Sequence, residues 1–231
     1  MAMPATTGQL RTRIQDMQIG DYIYGYYDKS TSSWGAGQQK GVEFPVMGLP
    51  ASSFDTGFFY YIKVDIGLLI ADRVVQNTQS WDSLNGSSRV IQGRPEVFDG
   101  VSGILRSLTG GVAYADANGN MSSTDQGFGA WPTDNEWDKY IANFPVKYLQ
   151  SGKNLDDVFH WREVQNWCQD TPVNGLTGPD VFHATPSARI RRGNPKAYNN
   201  SNYPITSVSP TLSSQSYNYM GFRPVFEYKE V

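Results

Sequence analysis

The residues best suited to contacting a partner gather near the C-terminus. Between positions 197 and 222 no side chain is charged, and Tyr, Ser and Asn recur. They include Tyr198, Asn199, Asn200, Asn202 and Tyr203, then Ser214, Gln215, Tyr217, Asn218 and Tyr219. Tyr offers a large amphipathic area at low entropy cost, and Ser and Asn offer adaptable hydrogen bonds, the chemistry of antibody loops. The same small polar residues also build solvated turns. A contact surface and a plain loop therefore both stay open, and four tyrosines in so short a stretch favour the surface.

Other chemistries have weaker support. Cys168 is the sole cysteine, which excludes an intrachain disulfide and a cysteine-based metal cluster. Its apolar surroundings predict a buried, inert thiol. His160 lies between Phe159 and Trp161, where a packing role competes with a zinc site completed by His183, Asp156, Asp157 or Asp180. Asp116-Ala-Asn-Gly-Asn120 places oxygen atoms at alternate positions, like the start of a calcium loop. It lacks the distal Glu, and Asn-Gly is also a hairpin turn. Asp134, Glu136, Asp138 and Glu163 could supply a carboxylate pair for glycoside cleavage, or simply a solvated helix face. No phosphate-binding loop, dinucleotide fingerprint or Gly-x-Ser-x-Gly elbow occurs. Neither a metal nor a cofactor is expected.

The elements that must position these residues are mostly short strands. Asp21–Tyr27 reads as an aromatic strand and Ser30–Gly41 as a loop. Residues 58–64 and 68–75 read as a hairpin around Asp65-Ile-Gly67, and residues 103–114 as a further extended stretch. Trp137, Tyr140, Ile141 and Phe144 fall at i, i+3, i+4, i+7 after Pro132 and Asp134, which predicts a helix. A second helix is expected over Asn154–Cys168, although Val158–Trp161 also suits a strand. Residues 221–228 read as a buried closing strand. Residues 1–13 read as a flexible lead before a single α+β domain over 14–231.

A net charge of −3 provides no footprint for nucleic acid. The cluster Arg189-Ile-Arg191-Arg192 suits ion pairing better than phosphate binding. No apolar run approaches the ~18 residues of a membrane span, and no apolar leader begins the chain, so synthesis in a cytoplasm without a signal peptide is expected.

The sequence resembles the C-type-lectin-like receptor-binding proteins of phage and prophage tails. That group includes variable proteins of diversity-generating retroelements and is related in fold to formylglycine-generating enzymes. The likeness runs through Asp16–Ile23, Ser107–Gly111, Asn135–Ile141, His160–Pro172, Ser187–Gly193 and the terminal Gly221-Phe-Arg-Pro-Val-Phe-Glu-Tyr228. The resemblance implies an α+β, C-type-lectin-like fold, with short strands, two helices and abundant loops. Ligand contacts would then lie in segment 194–220, on the ten Tyr, Asn, Ser and Gln residues named above. With one cysteine, formylglycine-type oxidase chemistry is not expected, and no Glu-Pro-Asn or Gln-Pro-Asp sugar triplet is present.

The implied function is non-enzymatic receptor binding at a virion tail tip, to a bacterial surface protein or polysaccharide, beside other tail proteins. Homotrimeric attachment would suit such a tip, although no heptads mark it. A structural tail or baseplate component is the alternative, suggested by Tyr22, Tyr24, Tyr26 and Tyr27 as an interface. A glycan depolymerase is the third. Arg223 is expected to pin the base of the loop against Glu136 or Asp138.

Overall fold

The strand Gly57–Asp65 sets the plan of the molecule. Its residues alternate in the usual β fashion, yet those from Gly57 to Val64 are all buried, so both faces of its sheet are covered. Phe58, Tyr60, Ile62 and Val64 belong to one apolar cluster, while Phe59 and Tyr61 belong to another. That is why the sequence carries an unbroken aromatic run here instead of an alternating one. The computed structural model describes residues 3–86, 89–196 and 203–230.

Gly57–Asp65 is central to a nine-stranded sheet. It pairs antiparallel with Tyr22–Asp28 on one side and Leu68–Ala71 on the other. The latter pairing is the expected hairpin, closed by Gly67 at φ +66 and carrying a bulge between Lys63 and Asp65. Gly25 faces the rings of Phe59 and Tyr61, and a Cβ there would lie 2.6 Å from Phe59. A six-stranded sheet runs in the order Ser209–Leu212, Ala188–Arg192, Gln165–Trp167, Met220–Phe222, Gln76–Asn77, Leu49–Pro50. A three-stranded sheet is built from Met121–Ser122, Ala113–Ala115 and Ala130–Trp131. The fold is thus β-rich with a few short helical segments, an α+β arrangement dominated by its sheets.

The closing stretch is two strands rather than one. Met220–Phe222 lies in the six-stranded sheet and Val225–Tyr228 in the nine-stranded one, with Arg223-Pro224 between them. The chain from Leu68 to Asn77 makes the same crossing, and backbone bonds Ala71 N to Pro224 O and Val75 N to Phe222 O join the two bends. This double ribbon ties the sheets together. At its inner side Gly221 lies so close to residue 76 that a Cβ would meet the Gln76 carbonyl oxygen at 1.9 Å.

Several expectations are corrected. The segment Asn154–Cys168 is helical only over Asp156–Phe159, ends at His160 with φ 43, and continues into the strand Gln165–Trp167. Gln165, Asn166 and Trp167 are all fully buried, which leaves no solvent face for an amphipathic helix. The helical turn expected after Pro132 is confined to Trp137–Ala142 and has π character, with Asn143 N–H bonded to Asp138 O. Of its expected inward face Trp137 and Ile141 are buried and Tyr140 is half-buried, while Phe144, just past the turn, is buried as well. Residues 103–114 divide between two sheets, as Val101–Arg106 and Ala113–Ala115. The N-terminal lead is anchored from Ala5 onward: Ala5 N–H bonds Asp157 O, Thr7 N–H bonds Tyr148 O, and Leu10–Arg11 adds a parallel strand beside Tyr22 and Ile23.

Candidate functional site

The candidate surface hangs from the six-stranded sheet. The hairpin Ala188–Arg192/Ser209–Leu212 delivers the chain to residues 213–219, and Met220–Phe222 takes it back into the sheet. The segment between is fixed at both ends and in the middle. Ser213 N–H bonds Ser187 O, Gln215 N–H bonds Leu212 O, and Gln165 N–H bonds Tyr219 O. Thr78 N–H is shared by Tyr217 O and Met220 O, while Asp82 N–H bonds Ser213 O and its carboxylate accepts from Ser213 Oγ at 3.0 Å. A loop held this way keeps its backbone while its outward side chains vary freely, because those side chains carry little packing.

Three of the expected contact residues come together. Tyr217 and Tyr219 stack with ring centroids 5.0 Å apart and planes 6° from parallel. The Tyr217 hydroxyl donates to Gln215 Oε1 at 2.7 Å. Tyr217 is 41% exposed, and Ser214 and Asn218 are exposed beside it. The result is a flat aromatic plate edged by hydroxyl and amide groups, with no charge of its own. Tyr203 is half-buried, and its carbonyl accepts from Asn194 Nδ2. Tyr198, Asn199, Asn200 and Asn202 lie outside the described residues.

What the loop rests on was not anticipated. Thr78 and Asp82 dock it, the first within and the second just after Gln76-Asn-Thr-Gln-Ser80, a second uncharged polar run. Its likeness in composition to the C-terminal segment was the available signal. Arg223 does not pin the loop to Glu136 or Asp138. Arg106 binds Glu136, Arg192 binds Asp138, and Arg223 is fully buried at the ribbon bend, where Nη1 donates to Ala71 O. Burial lowers its pKa to about 10.

The other chemical groups are mostly committed to structure. Asp116 accepts the N–H groups of Asn118 and Asn120 in a turn with Gly119 at φ +77, so its carboxylate is spent on the hairpin it begins. Asp138 accepts from Ala130 N and Asn135 Nδ2 besides Arg192. His160 lies 3.9 Å from Asp72, while His183 bonds Thr177 at 2.8 Å. Among the described residues no group of three His, Cys, Asp or Glu side chains could hold a metal ion. Cys168 is buried, and burial raises its thiol pKa well above the ordinary range. Arg191 pairs with Asp180, and Arg189 lies over the Trp81 ring, so the basic cluster is engaged within the fold. No described helix is long and apolar enough to cross a membrane.

No family model, no curated protein and no solved structure matches this chain.

Proposed function

We propose that this chain is a non-enzymatic receptor-binding module of C-type-lectin-like type, displayed at a phage or prophage tail tip. Its target is a bacterial surface protein or glycan. The observation that carries this reading is the stacked, partly exposed pair Tyr217 and Tyr219, on a charge-free segment bonded to the scaffold along its length. Rigid aromatic area bordered by Gln215, Ser214 and Asn218 is suited to recognition, since little entropy is lost on contact. The C-type-lectin-like assignment draws on the sequence resemblance and on the loop of residues 213–219, which departs from and returns to a single sheet. Several copies at one tip would raise a modest single-site affinity.

The test is adsorption of labelled protein to a panel of bacterial strains, beside the Tyr217→Ser/Tyr219→Ser variant. Strain-selective adsorption lost in a folded variant supports the reading. Equal adsorption by both proteins removes this surface from consideration.

A second reading, a structural tail component, draws on the small sheet and the loop within it, where Met121, Phe128 and Trp131 are 55%, 57% and 37% exposed. Apolar side chains of that size at the surface suit a neighbouring subunit. A chain that adsorbs to no strain yet assembles with other tail proteins would favour it.

A further inference from the structure

A cleft of about 350 Å³ opens between the hairpin Tyr22–Asp28/Ser33–Ala36 and the helix Trp81–Gly86. That volume is at the small end of the roughly 300–1,000 Å³ usual for ligand pockets. Its aromatic side is Tyr27, Trp34 and Phe54, with Tyr27 4.6 Å from Phe54 and 5.1 Å from Trp34 between centroids. Trp34 and Phe54 are buried in the core, so the wall is rigid. Its polar side is Ser32, Gln76, Gln79 and Ser83. Among the described residues no carboxylate lines the cleft, and the one cation, Arg94, is balanced by Glu96 at 2.6 Å.

The hydrogen-bonding capacity of this lining is largely unspent. Gln79 Oε1 accepts from Ser83 Oγ, but no bond among the described residues engages its Nε2. The same holds for the Gln76 side-chain amide and the hydroxyls of Ser32 and Tyr27. Amides and hydroxyls both donate and accept, so together they match a ligand that does the same at several points. Ser32, which lines the cleft, and Thr78 and Arg89, each next in sequence to a lining residue, hold left-handed backbone at φ 53, 56 and 52 without being glycine. Such conformations cost free energy and concentrate at ligand sites.

We propose that this cleft binds a neutral pyranose unit of a saccharide without a metal ion. A pyranose has an apolar C–H face for the aromatic wall and a ring of uncharged hydroxyls for the amides and serines. A basic ligand would meet no carboxylate among the described lining residues, and an acidic one would meet only Arg94, already paired with Glu96. The inference rests on the recognition reading and names its ligand. Gln76 and Gln79 line the cleft, and Thr78 and Asp82 of the same stretch dock the 213–219 segment, so one run of chain serves both.

The test is titration of the full chain with methyl glycosides of neutral hexoses and N-acetylhexosamines, followed by saturation-transfer NMR and tryptophan fluorescence. Saturable binding unaffected by EDTA is expected. Gln79→Ala should weaken it about tenfold, the cost of one unmade buried hydrogen bond. Ser83→Trp, at an exposed helix position, should fill the cleft and abolish binding in a folded protein. The inference is overturned if no glycoside binds, if binding is unchanged in both variants, or if only peptides occupy the cleft. Cell adsorption that free glycoside neither competes with nor shares would sink the saccharide inference alone. Glycoside binding without adsorption to any strain would sink the tail-tip reading alone.

Discussion

Arg192 donates through Nη2 to Asp138 Oδ1 at 2.6 Å, and neither side chain is more than 8% exposed. Arg192 also donates to Gly110 O, and Asp138 also accepts from Ala130 N and Asn135 Nδ2. The pair therefore joins the strand that opens the candidate loop to the helical turn Trp137–Ala142. Removing one member of such a pair leaves a buried charge uncompensated, at a cost of about 3–5 kcal/mol. Asp138→Ala should lower the urea midpoint accordingly. An unchanged midpoint would mean that the pair does not hold these elements together.

The tyrosine plate should separate function from stability. Tyr217 is 41% exposed, and surface replacements away from special features stay within about 0.5 kcal/mol. Tyr217→Ser should therefore leave the melting temperature nearly unchanged while reducing adsorption about tenfold, as for a binding hot spot. A large fall in melting temperature would instead assign the ring to the core.

His160 should make stability sensitive to mild acid. Burial, ahead of any neighbouring charge, holds its pKa below the ordinary 6.5; Asp72 opposes this, while Arg73 and Arg223 reinforce it. The unfolded chain thus takes up a proton near pH 6.5 that the folded chain refuses. The stabilising contribution is complete above pH 6.5 and declines as pH falls from there toward the folded value. Urea midpoints at pH 7 and pH 5 should differ less in His160→Asn than in the wild type. Asn suits the left-handed backbone at this position. Identical pH dependence in the two proteins would refute this assignment.

Arg223 should show that a buried guanidinium need not stabilise. Its Nε and Nη2 lack hydrogen-bond partners among the described residues, and burial lowers its pKa to about 10. Replacing a buried charge by an apolar group of similar size is often neutral or stabilising. Arg223→Met should thus match or exceed the wild type in thermal stability. Arg223→Ala should be less stable than Arg223→Met by about 2–5 kcal/mol, the cost of the cavity. Reversal of that order would give the guanidinium a stabilising role at the bend.

The sequence by itself determined the local elements whose signals are local. The hairpin Gly57–Asp65/Leu68–Ala71 followed from two apolar runs around a glycine turn, and the strand Tyr22–Asp28 from its aromatic composition. The buried face of Trp137, Ile141 and Phe144 followed from helical spacing, and the inert character of Cys168 from its neighbours. The charge-free Tyr, Ser and Asn segment was equally visible, because composition needs no partner to be read.

Tertiary structure alone decided what depends on distant partners. Periodicity extended a helix over residues 154–168, but pairing of Gln165–Trp167 with Ala188–Arg192 and Met220–Phe222 made its end a buried strand. Residues 221–228 looked like one strand because each half is apolar, and only the two sheets show that the chain changes partners at Arg223-Pro224. The guanidiniums of Arg106, Arg192 and Arg223 are alike in sequence. Which of them meets Glu136 or Asp138 depends on contacts spanning 30 and 54 residues, fixed by sheet register and core packing. For the same reason the cleft shared by Tyr27, Phe54, Gln76 and Arg94 emerged only once four separate segments had been brought together.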